Sequence, residues 1–157
     1  DAGGGADMEK AFRAGTGDYV HLQGPAPQNM EYEGVGYPVA EVGKPIGPCA
    51  FSSLAAMPAW LATDAAKAFT RAYTKTRVWI NEVPADEVAR KVAEFFPETH
   101  ASVLAECIAA YQGLGNWAPR VEITEASLAV AQEVFQFAGH IKAPYPYDVL
   151  CAHPPAV

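Results

Sequence analysis

Residues 15–27, GTGDYVHLQGPAP, decide how this chain is read. Ala11, Phe12 and Ala14 form an apolar patch on a preceding helix, and Gly15 and Gly17 stop that helix. Asp18 then leads into Tyr19, Val20, His21 and Leu22, an unbroken run of strand formers. Gly24, Pro25, Ala26 and Pro27 end the strand abruptly, because two prolines fix the backbone and supply no amide donors. A strand that runs into a proline-stiffened segment marks a place where one lobe hands over to another. It is also where open α/β sheets place their ligands, just beyond the carboxyl ends of strands.

Working outward, the glycine-rich residues 1–6 read as a flexible lead, since ordering glycine costs much backbone entropy. Asp7 is expected to cap a short helix over 8–14. Residues 28–33 suggest one or two helical turns ended by Gly34. Strands are expected over 37–42 and 46–54, separated by a turn at Gly43, Lys44 and Pro45, and a short packing strand over 148–151. Thr63 and Asp64 offer an N-cap to the longest periodic segment. Its Ala66, Phe69, Tyr73, Thr76 and Ile80 recur at helical spacing, while Lys67, Arg71, Lys75 and Arg77 fall largely off that face. Pro84 interrupts it. A helix over 85–96 should turn Val88, Val92, Phe95 and Phe96 inward, and one ending at Gln112 should bury Val103, Leu104, Cys107, Ile108 and Tyr111. Thr124 caps a last helix over 125–138 whose Leu128, Ala131, Val134, Phe135 and Ala138 form an apolar face, with Gly139 as its stop. The expected class is therefore α/β, rich in helix, with few strands.

The totals bound the function. At 157 residues, half of them apolar, the chain is long enough to bury a core and too apolar to stay disordered. A formal net charge of −7 without a basic stripe argues against a nucleic-acid partner. No run of about 18 apolar residues exists to span a membrane, and the N-terminus lacks the basic and apolar regions of a signal peptide. Cys49, Cys107 and Cys151 are widely spaced, which excludes CxxC motifs and favours buried core thiols. His21, His100, His140 and His153 show neither HxH nor HExxH spacing, so no metal site and no cofactor is expected.

Two constellations carry possible chemistry. Tyr19, His21 and Gln23 share one face of their strand, because side chains alternate with a period of two. An aromatic ring, an imidazole and an amide pointing one way suit a planar polar solute, although a half-buried strand with satisfied polar groups has the same pattern. Ser52 and Ser53 follow the apolar Cys49, Ala50 and Phe51 at a second strand end, where hydroxyls and free amides can hold an anion or a carbonyl. Neither serine lies in a GxSxG elbow, so binding or structure is favoured over nucleophilic catalysis. Trp117, in a Gly-Asn-Trp-Ala-Pro loop, fits a ring covering a helix end better than a ligand platform.

The pieces AFRAGTGDYVHLQGPAP, GVGYPVAEVGKPIGPCAFSSL and AAKAFTRAYTKTRVWINEVP, with IAAYQGLGNWAPRVEITEASLAVAQEVFQFAGHI and PYPYDVL near the end, carry a family resemblance in their order. From Asp7 to Leu150 the chain resembles the later half of periplasmic solute-binding proteins of ABC importers, those for nitrate, sulfonate, taurine and thiamine-precursor pyrimidines. The resemblance implies the helix-rich part of a two-lobe, type II periplasmic-binding fold. Residues 1–23 would end the second lobe, 24–27 would be the hinge crossover (Gly24, Pro25 and Pro27), and 28–157 would belong to the first lobe. It implies capture of a small solute by lobe closure, with Tyr19, His21, Gln23, Ser52 and Ser53 as contacts, and delivery to an ABC permease outside the cytoplasm, with a lipid anchor conceivable in a full-length form. Such receptors are roughly twice this long, so a missing N-terminal half or a second chain is expected, and Asp1 in place of Met points to a processed or truncated product. Related thiamine-pyrimidine synthases use a His and a Lys with pyridoxal phosphate and iron. They carry a cysteine-rich run that is absent here, and the chain is expected not to be an enzyme.

Overall fold

The computed structural model describes residues 3–156. Its regular elements, among the described residues, are all helical: α1 (Gly5–Arg13), α2 (Ala26–Tyr32), α3 (Gly43–Ile46), α4 (Pro58–Leu61), α5 (Asp64–Glu82), α6 (Ala85–Val92) followed by a 3₁₀ turn (Ala93–Phe95), α7 (Ala101–Gly113), α8 (Glu125–Phe137) and α9 (Tyr147–Leu150). The chain forms two compact units. The first comprises Asp1–Glu41 with Val83–Leu114, the second Val42–Glu82 with Gly115–Val157.

The expected α/β fold is therefore corrected. No described residue lies in a strand. The reason is that β-propensity describes how a side chain fits a pleated surface, whereas a strand exists only when a partner pairs with its backbone. Residues 19–22 and 36–41 lie outside regular structure, and Tyr19, Val20, His21, Leu22, Tyr37, Val39 and Ala40 donate no backbone hydrogen bond among the described residues. Tyr37 and Val39 are 71% and 76% exposed. The expected strand over 46–54 is likewise irregular after the single turn of α3. Of the expected strand over 148–151, residues 148–150 lie in α9 and Cys151 follows it, because Pro146 begins the turn and the Cys151 amide donates to the Tyr147 carbonyl.

The longer helices follow their sequence signals. Thr63 caps α5, its Oγ1 accepting from the Ala66 amide at 3.2 Å. Thr124 does the same for α8 through the Ser127 amide at 3.2 Å. Gly34 and Gly139 take positive φ just past α2 and α8, where a side chain would be strained. The cap expected from Asp7 is displaced: α1 starts at Gly5, with Gly4 as a cap lacking a side-chain bond. Of the expected flexible lead, residues 1–2 lie outside the described residues.

The first unit owns a genuine apolar core. α6 packs on α7, burying Val88 and Ala89 against a stripe of Val103, Leu104, Cys107 and Ile108, and α2 rests on α7 with Met30 buried. Phe95 and Phe96, expected inside, are 72% and 38% exposed, because the helix tightens into a 3₁₀ turn after Val92 and rotates the last turn off the core. Arg13 ties α1 to the end of α2 by bonding Glu9 at 2.8 Å and Glu33 at 2.5 Å. In the second unit the buried residues are Ala66, Thr70, Ala131 and Gln132. Gln132 is satisfied by the Tyr145 backbone, accepting from its amide and donating to its carbonyl. Arg77 donates to the Ala118 and Asn116 carbonyls and Asn81 to the Trp117 carbonyl, so the 115–119 loop is strapped to α5.

Leu104 is 3% exposed and Phe137 is 97% exposed. In urea denaturation of this chain, Leu104→Ala is expected to remove about 2–5 kcal/mol of stability. Phe137→Ala should stay within about 0.5 kcal/mol.

Candidate functional site

The segment leading out of α1 keeps the alternation read from its sequence while lacking a strand's partners. Tyr19, His21 and Gln23 are exposed, and Val20 and Leu22 are half-buried. The three polar or aromatic side chains thus share the exposed side of an irregular segment. None of them makes a side-chain hydrogen bond among the described residues, which leaves an imidazole, an amide and a phenol available together. Tyr19 is the most open, at 82%.

What holds this segment is Gly24. Its amide donates to the Tyr111 hydroxyl at 3.1 Å, across 87 residues of sequence. The approach is close: a Cβ on Gly24 would meet Cys107 Sγ at 2.5 Å, Tyr111 Oη at 3.1 Å and Gln28 Oε1 at 3.3 Å. Any side chain here would require the Cys107 thiol to shift, and would crowd the Tyr111 hydroxyl and Gln28 amide. Gln28 Oε1 is buried beside this contact without a hydrogen-bond partner. Burial pushes the Cys107 thiol above the usual thiol range, so it stays protonated and unreactive. Gly24, Pro25 and Pro27, expected at a crossover, thus lie within the first unit, where they lead into α2.

Sequence reasoning placed Tyr111 and Cys107 on an apolar stripe and read Gln28 only as a helix start. Their convergence on Gly24 has no local signal, since it links residues from two distant stretches.

Ser52 and Ser53 are exposed in the second unit, on the irregular stretch that follows Ala50. Their neighbours Phe51 and Leu54 are 72% and 61% exposed, so no apolar wall backs the hydroxyls. The next helix, α4, begins only at Pro58, and its amides are not adjacent to them. Trp117 is half-buried in the loop strapped to α5. His100 caps α7, its Nδ1 accepting from the Ser102 amide at 3.3 Å, and stacks on Tyr32 with ring centroids 5.0 Å apart. A groove of about 480 Å³ runs between α6 and α7, lined chiefly by Ala89, Ala93, Ala101 and Ala105 with the Asp86–Arg90 ion pair, and holds none of the sequence-derived candidates. Among the described residues no cluster of three His, Cys, Asp or Glu side chains could hold a metal ion, and no helix is long and apolar enough to cross a membrane.

Comparison with curated proteins finds a relative. The chain is 26% identical over 147 residues to the protein named "Putative binding protein YtlA" of Bacillus subtilis (strain 168). The match covers 92% of this chain and 44% of that protein, so the chain spans less than half the length of its relative. No family model matches the chain, and no solved structure matches it. The relationship reaches a protein named for binding.

Three measurements check the anchor. Tyr111→Phe removes the acceptor of the Gly24 amide and is expected to cost about 1–3 kcal/mol in thermal or urea unfolding. Cys107 should react with a thiol reagent more slowly than the half-buried Cys49 and Cys151, as followed by mass spectrometry of single-cysteine variants. The native state holds the Cys107 proton more tightly than the unfolded chain, so its contribution is complete below the unfolded thiol pKa. It falls as pH rises through the folded one, and Cys107→Ser should flatten that alkaline loss.

Proposed function

We propose that this chain is the solute-binding part of an ABC-type importer, acting outside the cytoplasm and handing its solute to a membrane permease. The observation that carries the reading is the similarity over 92% of the chain to a protein named for binding. The local geometry supports it, because capture needs exposed, unsatisfied, pre-positioned groups rather than a nucleophile and its base. Tyr19, His21 and Gln23 meet that need on a segment whose end is pinned by the Gly24–Tyr111 bond. The chain binds and releases without making or breaking covalent bonds, and it takes no cofactor.

The chemistry of the three side chains favours a planar, hydrogen-bonding solute. Tyr19 offers a ring face, while His21 and Gln23 each both donate and accept in the plane. A pyrimidine-like heterocycle or an aromatic acid fits this set best. A sulfonate or nitrate would need cationic partners, and the segment carries no Lys or Arg. The remaining contacts would come from polypeptide outside these residues, since a single exposed face does not enclose a ligand.

Calorimetric titration of the natural gene product with pyrimidines, aromatic acids, sulfonates and nitrate tests the reading. A planar heterocycle or aromatic acid is expected to bind. His21→Ala and Gln23→Ala should each weaken it by roughly tenfold, about 1.4 kcal/mol, without lowering the melting temperature, because both side chains are exposed. No binding by any of these solutes, or binding unchanged in both variants, overturns the assignment of this segment.

A further inference from the structure

We draw no further inference here: the strongest candidate, the groove of about 480 Å³ between α6 and α7, is floored by the small side chains of Ala89, Ala93, Ala101 and Ala105, its two charged groups, Asp86 and Arg90, pair with each other, and nothing in the structure shows what covers it.

Discussion

The packing of α6 against α7 is the constraint on which the first unit depends. Val88 and Val103 are the largest side chains that the structure removes fully from water, and they belong to these two helices. Pro84 and the His100 cap set where the helices begin, so residues 83–114 close on themselves as a local hairpin. Local contacts of this kind cost little loop-closure entropy. Everything else in the unit leans on the outer face of α7. Met30 of α2 is buried there, and Gly24 gives its amide to Tyr111 one turn beyond Cys107. The segment bearing Tyr19, His21 and Gln23 is therefore held at its end by a helix residue 87 positions from Gly24.

Legibility in the sequence follows from the range of the interaction. Helix ends set by a neighbouring side chain were readable: Thr63 and Thr124 cap α5 and α8, and Gly139 takes the positive φ that the end of α8 requires. The α7 stripe was readable because period and burial coincide at Val103, Leu104, Cys107 and Ile108. The strands were misread because residues 19–22, 37–42 and 46–54 carry strand-forming side chains, and nothing in a short window tells whether a partner backbone exists. Tyr147 illustrates the opposite outcome. Its hydroxyl donates to the Ile123 carbonyl at 2.5 Å, and that tie, together with Pro146, holds a helical turn where strand formers stood.

The candidate site divides in the same manner. The shared exposure of Tyr19, His21 and Gln23 was legible, because Val20 and Leu22 between them are the apolar residues and are the half-buried ones. Its anchor was not, because a glycine's amide and a tyrosine's hydroxyl are too common for their pairing to be read from types alone. Ser52 and Ser53 were singled out by a strand end that does not form, and without it they stand on an irregular stretch with exposed neighbours.

A comparison of α7 with α8 separates what a helix's own sequence says from what its surroundings decide. Both are thirteen residues long, both carry an apolar stripe, and both are capped at the N-terminus by a side chain. In α7 the stripe is buried; in α8 Ala131 is buried while Val134 and Phe135, one turn on, are about half exposed. The difference cannot arise from propensity, which is similar for the two stripes. It arises from cover: α7 has α6 and α2 against it, whereas no other helix packs extensively on α8. Amphipathicity encodes a demand for burial. The exposed half of α8 is thus a demand for burial that the described residues meet only in part, as Ala131 inside and Val134 and Phe135 half outside show.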